Sequence, residues 1–229
     1  MVNELKEEVI ILKNKDNDNN KKINELKEEI SNLKDEISGL KIAGTKTNLF
    51  SNIIQNKEDY EFLKNRLKIA GNNREIRYKL LYRASIDGDK AKIFHEKCND
   101  IKGTLCLVKT TDDISIGGYT EALWNGNGFK RDEKAFCFSL NLKKIYNVSI
   151  PNEAIQPNEN CGPSFANSLF VIMDESFKNG GSCSYRFKPL YSFHSWDRQY
   201  GTIEKDYEIT GGKERFGVKE VEVFQIIFN

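Results

Sequence analysis

The residues of this chain with chemistry to offer are five cysteines, two histidines, a few glycine pairs and two carboxylates near the end. The cysteines stand at 98, 106, 137, 161 and 183. Their number is odd and no two form a C-x-x-C. Together with His95 and His194 they show no zinc-ligand spacing. A reactive thiol has to be exposed and easily deprotonated. Cys106 and Cys137 fall in strand patterns, and Cys98 shares the apolar side of a helix pattern. Cys161 and Cys183, in polar stretches, remain as the redox candidates. His95 lies on the same apolar side as Cys98, the place of a core histidine with one hydrogen bond. His194 sits in the loop-like Ser192-Phe193-His194-Ser195-Trp196, and no G-x-S-x-G elbow accompanies it. Asn125-Gly126-Asn127-Gly128 lacks both phosphate-cradle spacings and reads as a turn, and Gly211-Gly212 reads as a hairpin or loop. Gly117 and Gly118 interrupt a strand pattern, where glycine marks a bulge or the close approach of another backbone. Glu220 and Glu222 alternate onto what reads as the outer face of the last strand, either solvated or touching a partner. No catalytic constellation emerges, and no metal or cofactor is expected.

The whole-chain properties narrow the field. Lys+Arg is 35 and Asp+Glu is 34 in 229 residues, a formal net charge of +1, so no global field draws the chain to nucleic acid or an anionic membrane. No run approaches the roughly 18 apolar residues of a spanning helix, so membrane insertion is not expected. The N-terminal Met1-Val2-Asn3-Glu4-Leu5-Lys6 lacks a basic region followed by an apolar core, so no secretory signal is read. Reduced thiols in the cytoplasm follow as the expectation.

The elements that would carry these residues begin with a heptad. With Val2 at position a, the a series runs Val2, Val9, Asp16, Ile23, Ile30, Ile37, and the d series Leu5, Leu12, Asn19, Leu26, Leu33, Leu40. Every apolar a residue is β-branched and every apolar d residue is leucine, the choice that favours a parallel two-stranded coil. Glu8–Lys13, Glu29–Lys34 and Glu36–Lys41 would pair across a parallel homodimer, against one repulsive Lys22–Lys27. Asp16 and Asn19 weaken the third heptad. Residues 1–42 therefore read as a long N-terminal coiled-coil helix, 43–50, with Gly44, as a linker, and 51–229 as one domain.

Within that domain a helix is predicted after the capping Asn56, with Leu63, Arg66, Leu67 and Ala70 along one side and Gly71 ending it. Ile76, Tyr78, Leu80 and Tyr82 alternate with polar residues as a half-buried strand. Asp89 is placed to cap a helix over 90–98. Strands are predicted at 104–110, 115–120, 135–140, 144–148, 169–173, 184–187 and 218–228. Phe136, Phe138 and Leu140 put bulk on one face and Ala135, Cys137 and Ser139 put small residues on the other. In the last strand the apolar face shifts near Val223, implying a bulge or burial on both sides. The fold class is α+β: a β-sandwich of two antiparallel sheets with flanking helices.

Several of these stretches together resemble a known family. Residues 80–88 leading into Phe94-His95-Glu96-Lys97-Cys98 are similar to the opening of the TLDc domain. Gly103-Thr104-Leu105, then Gly117-Gly118-Tyr119-Thr120 and Trp124, resemble its central glycine motif. Residues 134–140, Gly162-Pro163-Ser164-Phe165 and the ending from Phe216 to Phe224 continue the match in order, with Ala166 where the family motif goes on with glycine. The resemblance implies a two-sheet sandwich, a link to oxidative-stress resistance and, in several members, binding to peripheral subunits of the vacuolar proton-pumping ATPase. It implies no settled catalytic mechanism. The expected function is thus a non-enzymatic binding and regulatory module in duplicate, with Gly117, Gly118, Trp124, Glu220 and Glu222 as the candidate partner surface. A cysteine-based antioxidant and a scaffold whose coil takes a heterologous partner stand as alternatives.

Overall fold

Asn56 starts the first helix of the domain, α1 (Lys57–Ala70). Its side chain accepts the Asp59 N–H at 2.8 Å, Glu58 and Asp59 occupy the first turn, and Gly71 closes the last. The computed structural model describes residues 22, 23, 26, 49–148, 150–165, 170–179, 182–183 and 207–229. It divides into two units, Met1–Asn48 and Leu49–Asn229. In the first unit Lys22, Ile23 and Leu26 are helical, and the apolar pair is 47% and 50% exposed. The other coil positions (Val2, Leu5, Val9, Leu12, Ile30, Leu33, Ile37 and Leu40) lie outside the described residues.

In the second unit α1 is followed by β1 (Ile76–Arg83), the one-turn α2 (Ala84–Asp87), α3 (Ala91–Cys98), β2 (Thr104–Thr110), β3 (Ser115–Thr120), β4 (Phe136–Ser139) and β5 (Lys144–Asn147). Then come β6 (Cys161–Phe165), β7 (Phe170–Met173), α4 (Ser176–Asn179), β8 (Ser182–Cys183), β9 (Arg215–Phe216) and the long β10 (Val218–Phe228). Among the described residues the strands form two antiparallel sheets. The larger runs β1-β10-β2-β3-β4-β5 and the smaller β6-β7-β8-β9. β10 thus lies between β1 and β2. The strand predicted at 184–187 falls outside the described residues.

The larger sheet is covered on both faces. Leu105, Leu107, Tyr119, Phe136, Phe138, Phe224 and Ile226 pack under Tyr60, Leu63, Leu67 and Ala70 of α1 and under Ile53 and Ile54. Cys106, Val108, Ile116, Cys137, Val221 and Val223 pack in a second core with Phe165, Phe170, Ile172 and Phe216 of the smaller sheet and with Phe94 and Cys98 of α3. The large–small alternation of β4 is the signature of this arrangement, since the phenylalanines fill the helix side and Cys137 the sheet side. The shift of the apolar face near Val223 is burial on both sides: Val221 and Val223 enter one core and Phe224 and Ile226 the other. Successive β10 residues point to opposite cores, so the strand is apolar on both faces.

Two local readings are corrected. β1 shifts register between Leu80 and Tyr82, which turns Leu80 outward (40% exposed) while Leu81 packs against the core. The cap of α3 is not Asp89. The Ala91 N–H donates to Asp174 Oδ1 at 2.7 Å, and Asp89 instead accepts the Phe177 N–H at 2.8 Å.

Candidate functional site

Gly117 and Gly118 sit side by side in β3, paired with Phe138 and Cys137 of β4 and with Leu107 and Cys106 of β2. A Cβ on Gly117 would collide with the Cys106 carbonyl oxygen and the Phe138 ring. A Cβ on Gly118 would stand 2.7 Å from the Phe165 ring of the facing sheet. The pair therefore admits one phenylalanine on each side of the sheet, and both glycines are buried.

Trp124 is fully enclosed. Its Nε1 donates to Thr104 Oγ1 at 2.8 Å, and its ring meets Phe94 and Phe165 edge-on, each at 5.5 Å. Glu220 and Glu222 are buried as well, at 8% and 0% exposure. Glu222 accepts from Ser51 Oγ, from the Asn52 N–H at 2.9 Å and from Arg83 Nε at 2.7 Å. Glu220 accepts the Ser85 hydroxyl, the Ser85 N–H at 3.1 Å and the Val221 N–H at 3.0 Å. The five residues expected at a partner surface are therefore interior. Alternation put the two glutamates on one face correctly. It gave no sign that the chain's own segment 50–54 and α2 cover that face.

The thiols follow the same logic. Burial pushes the Cys98 thiol up to about 12 despite the neighbouring Lys97, and it pushes Cys106 well above the usual thiol range. Cys161 is half-buried, with Sγ 3.9 Å from Met173 Sδ. Cys183 lies in β8 opposite Val171. His194 lies outside the described residues.

One surface feature does gather polar groups. Lys92, His95, Glu96 and Asn99 recur every three to four residues along α3 and so share one stripe. With Asp100, the Gly126-Asn127 loop and the Glu159-Asn160 turn they enclose an open cleft of about 580 Å³. His95 is half-buried in its wall rather than in the core. Its Nδ1 is 2.6 Å from Asn99 Oδ1, and Nε2 is 2.9 Å from the Asn158 carbonyl and 3.0 Å from that of Cys161. These contacts lash α3 to the strand β6. The lining consists of carboxylates, amides, one ammonium and one imidazole, so it can exchange hydrogen bonds and ion pairs with a polar ligand. Among the described residues no serine, threonine or cysteine nucleophile lines it. Sequence reasoning missed the cleft because Asn127 and Glu159 reach it from loops far from α3 in the chain.

Two antiparallel sheets about a common core, with helices outside, define a mostly-β domain whose most distinctive residues are taken up by its own packing. The chain belongs to the TLDc-domain family, whose model matches residues 48–227. Comparison with curated proteins returns no match.

Proposed function

We propose that this chain is a non-enzymatic binding and regulatory module of the oxidative-stress-related TLDc class, presented in duplicate by a parallel coiled coil. The family match over residues 48–227 carries this reading. The residues with chemical potential support it: the glycine pair, Trp124 and the two glutamates serve the core, and two of the thiols are held protonated. Ile23 and Leu26, an adjacent a–d pair of the heptad, are helical and half-exposed within one copy, as a seam awaiting a partner would be. The target in this reading is a multi-copy cytoplasmic assembly such as the peripheral sector of the vacuolar proton-pumping ATPase, on which two tethered modules gain effective concentration. Affinity purification from lysate with the full chain and with a chain lacking residues 1–42 is the test. Pump subunits should be retained by the first and more weakly by the second. Their absence from both would remove the pump as target.

A further inference from the structure

Asparagine followed by glycine is open to a reaction within the backbone, because glycine brings no Cβ to shield its own nitrogen. The chain has three such steps, at 125–126, 127–128 and 179–180, and one aspartate–glycine step at 87–88. The fold treats them differently. The Asp87 carboxylate is pinned by Lys97 Nζ at 2.8 Å and by the Arg83 N–H at 2.9 Å. Asn125 is half-buried beside the enclosed Trp124, and its carboxamide nitrogen faces Asp100 Oδ1 at 3.5 Å. Residue 180 lies outside the described residues. Asn127 is exposed between exposed Gly126 and Gly128, and among the described residues nothing holds its carboxamide. A Cβ on Gly128 would meet nothing within 4 Å, so the approach to the Gly128 nitrogen is open.

We infer that Asn127 is a site of spontaneous deamidation that adds a carboxylate to the rim of the His95 cleft. The Gly128 amide nitrogen, giving its proton to solvent base, attacks Asn127 Cγ. A new C–N bond forms, the carboxamide C–N bond breaks and ammonia leaves, closing a five-membered succinimide. Water adds to either ring carbonyl and one ring C–N bond opens, yielding aspartate or isoaspartate. One water is consumed and one ammonia released, and no electrons change hands. The formal net charge moves from +1 to 0. The rim, which already holds Glu96, Asp100 and Glu159 against Lys92, becomes more acidic. The loop is anchored at both ends, by the Trp124–Thr104 hydrogen bond and by the Lys130 N–H on the Ile155 carbonyl at 2.9 Å. The change is therefore confined between them, and the thermal midpoint of the domain stays where it was.

The test is incubation of the purified full chain at mildly alkaline pH and physiological temperature. Isoelectric focusing and mapping of the tryptic peptide 110–130, which has no asparagine besides 125 and 127, follow the reaction. An acidic species should grow with time, carrying the amide-to-acid mass increment at residue 127 before residue 125. Asn127→Gln should suppress that species without shifting the thermal midpoint. The inference is overturned if Asn127 of the folded chain keeps its amide while the denatured chain loses it. It is also overturned if residue 125 leads, or if the acidic species persists in Asn127→Gln.

Discussion

Glu222 has no exposed surface, and its carboxylate is shared between Arg83 and the Ser51–Asn52 turn. Removing one partner of such a pair strands the other charge in a poor solvent, while replacing both with apolar groups does not. Glu222→Ala should cost about 3 kcal/mol in urea unfolding, and Arg83→Met/Glu222→Leu distinctly less. Equal losses in the two would show that the shape of the site matters and the charge does not. The buried ionisable groups give a second residue-scale expectation. Burial raises Cys98 to about 12, and it raises Tyr78, Tyr82 and Tyr119 above the usual phenol range. The unfolded chain then gives up these protons at lower pH than the folded one, so stability from these groups is full below about pH 8.5 and falls as pH rises past it. Thermal midpoints should drop steadily from about pH 9 upward, with the tyrosinate absorbance of Tyr78, Tyr82 and Tyr119 appearing only on unfolding. At pH 8 a thiol near 12 is ionised in about one molecule in ten thousand, so Cys98 and Cys106 should resist alkylation until the chain unfolds.

At the scale of elements, β3 depends on having no side chain at two successive positions. Gly118→Ala presses on a ring that can shift and should cost about 1–3 kcal/mol. Gly117→Ala presses on the Cys106 carbonyl, a member of the β2–β3 ladder, and should cost more, with denaturant midpoints ranking the two. What was legible in the sequence follows the same division between near and far. α1 was readable from Asn56 to Gly71 because its cap, its first-turn acids and its apolar stripe are all local. The β2–β3 hairpin and the two-faced β4 were readable for the same reason. The cap of α3 was not, because Asp174 lies 83 residues from the Ala91 N–H it satisfies. Nor was the burial of Glu220 and Glu222, whose partners Ser85 and Ser51 are 135 and 171 residues away. Alternation tells which residues share a face of a strand. It does not tell what will lie on that face.

For the whole molecule the open quantity is its stoichiometry. Ile30→Lys/Leu33→Lys places charge at an a and a d position of the heptad, and on the proposed reading light scattering should find a dimer for the parent and a monomer for the variant, with the circular dichroism of the domain retained. A dimer that persists would put the contact in Leu49–Asn229 instead. That unit has its own constraint, set by the place of β10 in the larger sheet. Strands β1 and β2 are neighbours in sequence but do not pair with each other, because β10 separates them. On the ribosome β1 emerges with its partner about 135 residues behind it, a wait on the order of ten seconds at ordinary translation rates. Until then the edges of β1 and β2 that flank the gap lack the strand they pair with. The sheet is completed from its middle, last, when β10 slides into the gap and Glu222 closes on Ser51 from the domain's first residues. Nascent chains halted before Val218 should therefore be clients of chaperones, and the domain's birth is a single late event.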